Sequence, residues 1–330
     1  MNASFALSVS EPSLVGEARR AMARLARTIG CSEHERGRAE LVVTELATNL
    51  ARHAGGGEVL MRALDGEGPG LEVLALDRGP GMADIAACLR DGFSTTGSPG
   101  TGLGAVQRLV DEFALHSKPG VGTAILARLF LSPAPAARRV DLGAVCVALR
   151  GEQVSGDAWA EQVQGPRLRL ALVDGLGHGA DAAAAARAAI ETFRAQGGRS
   201  PAEIVERMHE ALRATRGAAA AVAELDANAR EVRYAGVGNT VGVISDGEWT
   251  RNMVSMNGTL GHAIRRVTEY SYPWPQGALV VLHSDGIGRG WQIGRYAGLA
   301  AKPAALIAGV LYRDFARGRD DASVLVARAR

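Results

Sequence analysis

The sequence predicts an α+β protein of two domains, and three observations lead to this prediction. The chain has 330 residues, a length that favours two domains, each large enough to bury its own core. Amphipathic helical segments and short strand-like runs occur in both halves, with glycine-rich turns between them. The segment LSPAPAARR at 131–139 places two prolines and a basic pair between two strand-like runs, as in a linker. We expect domains at 1–131 and 140–330, joined by a linker at 132–139.

Composition and charge exclude several classes of function. Apolar residues make up 47% of the chain and charged residues 22%, as in ordinary globular proteins. The net charge of +2 provides no basic surface for nucleic acid or an anionic membrane. No apolar run approaches the roughly 20 residues of a membrane span, and the first ten residues do not resemble a signal peptide. The three cysteines have no CxxC spacing, and none begins a C-x5-R phosphate loop. We therefore expect a cytoplasmic protein without cysteine-based phosphatase chemistry.

Capping signals predict two helices at the start of the chain. Ser13 can cap a helix that runs to about Thr28, with Gly30 as its stop. Ser32 and Glu35 form a capping box for a longer helix, EHERGRAELVVTELATNLARHA. The predicted apolar stripe of that helix consists of Leu41, Val42, Leu46 and Leu50.

Polar side chains follow on this helix and on the next strands. Glu45 and Asn49 lie four residues apart, so a carboxylate and an amide emerge side by side. Strand-like runs at 58–65 and 71–77 follow, joined by the turn GEGPG, and the second run ends at Asp77. The remaining elements expected in this half are a short helix at 83–90, a glycine-rich stretch at 94–104, a helix to about Glu112 and two strands around PGVGT.

The glycine-rich stretch is not a dinucleotide fingerprint. Gly100, Gly102 and Ala105 fit the pattern G-x-G-x-x-[GA], but no strand precedes them and no suitable acidic residue follows about 20 positions later. A Rossmann fold is therefore excluded. The backbone amides of such a loop, together with the N-terminus of the next helix, can still bind a polyphosphate.

Four motifs of the first half resemble the GHKL ATP-binding (Bergerat) fold, an α/β sandwich. In chain order they are Glu45-x-x-x-Asn49, Asp77-x-Gly79-x-Gly81, Gly100-x-Gly102-x-Gly104 and Gly122-Thr123. The segment at about 10–131 resembles the small anti-sigma-factor serine kinases of the RsbW/RsbT type. The resemblance implies ATP-Mg²⁺ as cofactor and the following roles. Asn49 would bind Mg²⁺, Asp77 would accept from the adenine amino group, Glu45 would be the general base, the loop Gly100–Gly104 would close over the phosphates, and Gly79, Gly81 and Thr123 would complete the site.

The second half places aspartates where strands begin and end. Asp157 begins a strand after a turn, Asp174 ends another in VDGLGHGAD, and Asp285 follows the apolar run LVVLH. Asp320 and Asp321 precede the final strand. A β-sandwich can gather such termini at one end, where clustered carboxylates repel each other unless cations lie between them. Oxygen ligands without histidine or cysteine favour Mg²⁺ or Mn²⁺ over Zn²⁺.

The order S-G-D, D-G-L-G-H-G, S-D-G and D-D-x-S resembles the PPM family of metal-dependent serine/threonine phosphatases, and specifically its SpoIIE/RsbX branch. The resemblance covers about 140–330 and implies an α-β-β-α sandwich with two Mn²⁺ or Mg²⁺ ions. Asp157 and Asp174 would lie on the bridging side, the Gly175 carbonyl would complete one metal site, and Asp285 and Asp320 would hold the other ion.

Several assignments stay open at this point. His178 lies in the glycine-rich turn and is either a catalytic acid or a residue of the helix start. His262 and His283 are expected to be structural, and Asp321 to orient Asp320 or cap the strand. No residue can be assigned to phosphate binding, because Arg150 and Arg289 lie near the motifs without further support.

The resemblances together predict a phosphatase that acts on phosphorylated STAS-domain regulators in a sigma-factor, stress-response switch. The nucleotide domain would then sense ATP. Two alternatives remain, a bifunctional kinase and phosphatase that uses Glu45, and a non-catalytic GHKL module that sequesters a regulator. A sigma factor or a kinase is a further candidate partner, and the chain could form a homodimer; we expect neither nucleic acid nor a membrane as a partner.

Overall fold

The computed structural model describes residues 3–65, 68–90, 102–131 and 139–330. By their internal contacts these residues form two compact units, one within Ser4–Ala137 and one that groups Ala3 with residues within Arg138–Arg330. Of the predicted linker, 132–138 lies outside the described residues.

The N-terminal unit combines helices with one five-stranded sheet. Its elements are β1 (Phe5–Val9), α1 (Val15–Thr28), α2 (Glu33–His53), β2 (Gly57–Leu64), β3 (Gly70–Leu76), α3 (Ile85–Cys88), α4 (Gly102–Leu109), β4 (Glu112–Lys118) and β5 (Gly122–Phe130). The strand order is β1-β2-β3-β5-β4, and every neighbouring pair is antiparallel.

A hydrophobic core joins the helices to one face of this sheet. Alternate strand residues such as Val59, Val73 and Ile125 point into it, as the period of two in a strand requires. Leu46 of α2 and Met22 of α1 pack against them. The arrangement is the predicted α/β sandwich.

Helix starts show what capping signals can and cannot locate. The Ser32–Glu35 capping box is present and begins α2 as predicted. Ser13 is not a cap, because it lies inside a 3₁₀ turn that Pro12 begins, and α1 starts two residues later. The predicted stripe of α2 is correct except for Leu41, which is 55% exposed. Val43 and Ala47 are buried instead, so the core-facing stripe is rotated away from Leu41.

Other boundaries in this unit differ by a few residues. The short helix expected at 83–90 is α3, and Asp84 caps it by accepting from the Ala87 amide at 2.9 Å. The helix expected to reach Glu112 ends at Leu109, and Glu112 begins β4. Strand β1 was not predicted from the sequence; it pairs with β2 at the edge of the sheet.

The C-terminal unit contains two larger sheets and three α-helices. In chain order its elements are β6 (Val140–Val147), β7 (Asp157–Gln164), β8 (Arg167–Gly175), α5 (Ala180–Ala195), α6 (Pro201–Ala211), β9 (Ala218–Asp226), β10 (Glu231–Val237), β11 (Val241–Ser245), β12 (Thr250–Met253), β13 (Ser255–Met256), β14 (Gly258–Thr259), β15 (Ala263–Ile264), β16 (Tyr270–Pro273), β17 (Leu279–His283), α7 (Ala304–Phe315) and β18 (Ala322–Ala329).

These strands form a sandwich with helices on both outer faces. One sheet has the order β13-β10-β9-β8-β7, with β16 also on β10, and the other has the order β12-β11-β17-β18-β6. Leu170 and Leu172 of the first sheet meet Val280 and Leu282 of the second in one core. A separate core packs α5 and α6 on the outer face of the first sheet, and α7 contacts β6 and β18 of the second. This is the predicted α-β-β-α arrangement.

Within the ranges that the structure describes, no helix has both the length and the apolar character that crossing a membrane requires.

Candidate metal centre and nucleotide site

Paired strands place two aspartates opposite each other in the C-terminal unit. Asp157 is the first residue of β7, and its register partner on β8 is Asp174. The Gly175 amide donates to the Gly156 carbonyl at 3.0 Å, which extends this pairing beyond the aspartates. Asp157 is buried and Asp174 is partly buried, so the two carboxyl groups lie at the end of a sheet with limited access to water.

The second sheet brings the remaining aspartates to neighbouring chain segments. Asp285 follows β17 by two residues and Asp320 precedes β18 by two residues, and β17 and β18 are adjacent antiparallel strands. The Ser284 amide donates to the Ser323 carbonyl at 3.1 Å, so both segments continue side by side beyond the ladder.

Asp321 connects the two sheets through hydrogen bonds to backbone amides. Its Oδ1 accepts from the Leu149 amide and its Oδ2 from the Gly156 amide, both at 2.8 Å. Its own amide donates to Oδ1 of Asp320 at 2.9 Å. Asp321 therefore holds the loop that precedes Asp157 against the segment that carries Asp320.

Two glycines allow this close approach of segments. A Cβ at Gly286 would lie 1.9 Å from the Asp321 carbonyl oxygen. A Cβ at Gly156 would lie 2.8 Å from both the Asp321 carboxylate and the Ala182 side chain. Any side chain at either position would push apart the segments that carry the aspartates.

Burial and mutual repulsion disfavour negative charge at this end of the sandwich. Burial is the main cause that raises the pKa of Asp157, and the charges of Asp321 and Asp320 raise it further. The pKa of Asp174 is also raised, first by burial and then by the nearby charges of Asp157 and Asp285. The structure thus brings four predicted carboxylates close enough to affect one another.

The buried Oδ2 of Asp157 indicates whether a cation fits between the aspartates. Oδ2 of Asp157 is buried and has no hydrogen-bond partner by geometry among the described residues, and the nearby Ser284 and Ser323 hydroxyls lower the pKa of this carboxyl group without offsetting its burial. A buried carboxylate oxygen without a donor is costly, and a hard cation would satisfy it. Within the described ranges, no three or more His, Cys, Asp or Glu side chains are grouped to hold one ion by themselves. Mg²⁺ commonly takes one or two carboxylates and keeps several waters, so the aspartates present fit such an ion.

The histidines have partners that the sequence did not indicate. His178 lies in the turn before α5, with Nδ1 2.6 Å from Oε1 of Glu152. His262 has Nε2 2.8 Å from the Arg216 carbonyl oxygen. His283 is buried, and burial lowers its pKa below the usual histidine value.

Asn239 is a residue near the candidate metal centre that sequence reasoning missed. Its Nδ2 donates to Oδ2 of Asp285 at 2.7 Å. It lies in the connection between β10 and β11, in the sequence GVGNT, where an asparagine normally indicates only a turn. No signal in the sequence links that turn to Asp285.

The candidate nucleotide site of the N-terminal unit is organised around Asp77. This buried residue follows β3, and its Oδ1 accepts from the amides of Gly79 at 2.8 Å and Thr123 at 3.1 Å. The Thr123 hydroxyl lies 2.9 Å from Oγ of Ser117. The structure therefore brings Asp77, Gly79 and Thr123 together, and fixes the orientation of the carboxylate.

The glycines and the α2 residues lie on the elements around Asp77. A Cβ at Gly79 would lie 2.7 Å from Cα of Ala54, just after α2, and one at Gly81 would lie 2.2 Å from the Lys118 carbonyl oxygen. Glu45 and Asn49 are both partly buried on α2, one helical turn apart. Gly102 and Gly104 lie in the first turn of α4 rather than in a loop. Gly100 lies outside the described residues.

The two folds and the clustered aspartates define a phosphatase of the PPM type joined to a histidine kinase-like ATPase domain. The model of that ATPase domain matches residues 9–129. The model of the Stage II sporulation protein E family, SpoIIE, matches residues 164–330, which is half of the chain. The chain belongs to the SpoIIE family, and its C-terminal unit is a serine/threonine phosphatase domain.

Two curated relatives match parts of the chain. The serine/threonine-protein kinase RsbT of Bacillus subtilis (strain 168) is 40% identical over 31% of this chain and 78% of its own length. The phosphoserine phosphatase RsbX of the same strain is 24% identical over 42% of this chain and 69% of its own length.

Two solved structures resemble part of this chain in fold. One, described as "The bacterial stressosome: a modular system that has been adapted to control secondary messenger signaling", is 30% identical with a TM-score of 0.54, covering 57% of this chain and 99% of that chain. The crystal structure of RsbX in complex with magnesium has a TM-score of 0.51 at 18% identity, covering 59% of this chain and 98% of that one, which shows the fold alone.

Proposed function

We propose that this protein removes phosphate from phosphoserine or phosphothreonine of a STAS-domain regulator in a partner-switching system, and that its N-terminal unit binds ATP-Mg²⁺. The single observation that carries the proposal is the pairing of Asp157 with Asp174 at the end of one sheet, with a buried oxygen of Asp157 left unpartnered. The partner class is supported by the likeness to RsbT, to RsbX and to the stressosome structure.

Each aspartate has a role that follows from its position. Asp157 and Asp174 would be ligands on one side of a site for two Mg²⁺ or Mn²⁺ ions. The Gly175 carbonyl would be a further ligand there. Asp285 and Asp320 would hold the other side, and Asn239 orients Asp285. Divalent cations in such a pair supply a nucleophile at neutral pH and neutralise charge on the phosphoryl group.

Residues around Asp77 in the N-terminal unit have positions and chemistry that suit a bound nucleotide. The two amides that bind Oδ1 of Asp77 fix its carboxylate as an acceptor, which suits the amino group of adenine. Asn49 supplies a neutral oxygen of the kind that Mg²⁺ accepts beside phosphates. Gly79, Gly81 and Thr123 would line the base, and Gly100, Gly102 and Gly104 would lie at the phosphates. Glu45, one helical turn from Asn49, would be the general base if this unit transfers a phosphoryl group.

The test is release of phosphate from a phosphorylated STAS protein, measured with Mn²⁺ and after removal of the metal by EDTA. We expect hydrolysis that requires Mn²⁺ and is lost in Asp157→Asn. The matched control is Asp246→Asn, which changes an exposed turn aspartate that accepts from two backbone amides. Full activity of Asp157→Asn, or hydrolysis that persists without metal, would contradict the metal assignment.

A further inference from the structure

A cavity of about 540 Å³, lined by both polar and apolar residues, lies in the C-terminal unit beside the candidate metal centre. Its walls come from the connection between β10 and β11, from β12, and from the segment 289–292 after β17. Lining residues include Asn239, Thr240, Asn252, Arg289 and Trp291. A cavity of this size is in the range of ligand pockets and can hold a short segment of an extended polypeptide.

The cavity shares a wall with the proposed metal ligands. Asn239 lines it and also donates to Oδ2 of Asp285 at 2.7 Å. His283, two residues before Asp285, is buried in the same wall. A chain segment that occupies the cavity would therefore lie next to a phosphoryl group at the metal centre.

The chemistry of the lining suits a polypeptide. Side-chain amides, which can both donate to and accept from a peptide backbone, are contributed by Asn239, Asn252, Asn257 and Gln292. The indole of Trp291 offers apolar surface beside these polar groups.

The charge of the lining indicates an acidic occupant. Arg289 is exposed, and it makes no ion pair with any carboxylate of the described residues. The cavity lining contains no aspartate or glutamate. A guanidinium group is always charged in proteins, so Arg289 gives the lining a positive charge.

We propose that this cavity binds the substrate residues next to the phosphorylated side chain, and that Arg289 pairs with an acidic side chain among them. The inference rests on the proposed phosphatase function and adds a preference for acidic flanking sequence. Arg289 would act on substrate recognition and not on the reacting phosphorus.

The test compares phosphopeptides that differ only in charge beside the phosphoserine. Each peptide carries Glu or Lys at one of three positions on either side, and kcat/KM is measured with Mn²⁺ at low salt. At one or more positions we expect the wild type to prefer Glu over Lys by about two- to fivefold, the scale of an exposed ion pair. Arg289→Glu should reverse that preference, and high salt should reduce it in both proteins. The matched control is Arg199→Glu, an arginine outside the cavity that pairs with Glu203 on the surface.

Hydrolysis of para-nitrophenyl phosphate, which has no flanking residues, separates the two proposals. Absence of metal-dependent hydrolysis of this ester and of every peptide by the wild type would contradict the phosphatase function itself. If the wild type is active and its Glu-to-Lys ratios equal those of Arg289→Glu at all positions, the function stands and the cavity proposal is wrong. Loss of para-nitrophenyl phosphate hydrolysis in folded Arg289→Glu would also overturn it, because Arg289 would then act on the phosphoryl group.

Discussion

The carboxyl groups of Asp157 and Asp174 show how burial and mutual repulsion act on one pair of residues. Each loses hydration on folding, and each faces other negative charges, so their pKa values are raised. A raised pKa means that the folded state binds protons more tightly than the unfolded state does. The stability that this contributes is complete below the ordinary aspartate pKa of about 3.9 and decreases as the pH rises through the folded value.

The first prediction at this scale concerns metal-free protein. We expect its thermal midpoint to fall between pH 5 and pH 8, and Asp174→Asn to raise the midpoint at pH 8, because one repelling charge is removed. Relief of about 1 kcal/mol would correspond to roughly 2–4 °C in a unit of this size. Mn²⁺ should stabilise the wild type at pH 8 and stabilise the variant much less. The measurement is a melting curve with and without EDTA at both pH values.

Asp246→Asn is the control, since hydrogen bonds from the Trp249 and Glu248 amides lower the pKa of that aspartate. Its variant should not gain stability at pH 8. An Asp174→Asn protein that melts below the wild type in EDTA at pH 8 would show that repulsion is not the dominant effect at this site.

At the scale of elements, the sequence predicted what local chemistry determines. The Ser32–Glu35 box located the start of α2, and aspartates beside glycines marked the ends of β8 and β17. What failed depended on partners distant in the chain. The exposure of Leu41 follows from how α2 is rotated on its sheet, and β1 is a five-residue strand whose place depends on pairing with β2. The contact of Asn239 with Asp285 spans 46 positions, so no local pattern could indicate it.

The second prediction tests the close packing of elements around the aspartates. Gly286→Ala would place a Cβ against the Asp321 carbonyl oxygen, and since that atom is backbone, it can move only if β18 shifts. We expect a loss of about 1–3 kcal/mol in unfolding free energy, the usual cost of overpacking, together with weaker Mn²⁺ binding. Denaturant unfolding and metal titration measure both effects.

Gly197→Ala is the matched control, because its Cβ would meet only the end of the Gln164 side chain at 3.7 Å. It should change neither stability nor metal binding by a comparable amount. If Gly286→Ala binds Mn²⁺ as the wild type does, the approach of the turn to Asp321 is not what positions the carboxylates.

At the scale of the whole molecule, the candidate sites belong to separate hydrophobic cores. The core around Leu46 and Val73 contains only residues of the N-terminal unit, and the cores around Leu170 and Phe193 contain only residues of the C-terminal unit. Changes at residues that share no interaction partners usually act independently. The nucleotide and metal assignments can therefore be tested against each other in one chain.

A substitution in the nucleotide site should weaken ATP binding alone, and a substitution in the metal centre should abolish hydrolysis alone. Asp77→Asn keeps an oxygen that can accept from the Gly79 and Thr123 amides, so the N-terminal unit should remain folded. It replaces the other acceptor of the carboxylate by a donor, which should repel the adenine amino group. The loss of a charge-assisted bond of about 1.5–3 kcal/mol corresponds to a roughly tenfold to hundredfold weaker ATP affinity.

Calorimetry should find this loss in Asp77→Asn and unchanged ATP affinity in Asp174→Asn. Without ATP, Asp77→Asn should retain Mn²⁺-dependent hydrolysis of para-nitrophenyl phosphate, and Asp174→Asn should lose it. Equal ATP affinity in Asp77→Asn and wild type would remove the adenine role, whereas loss of both activities in either variant would mean that the two sites do not act independently.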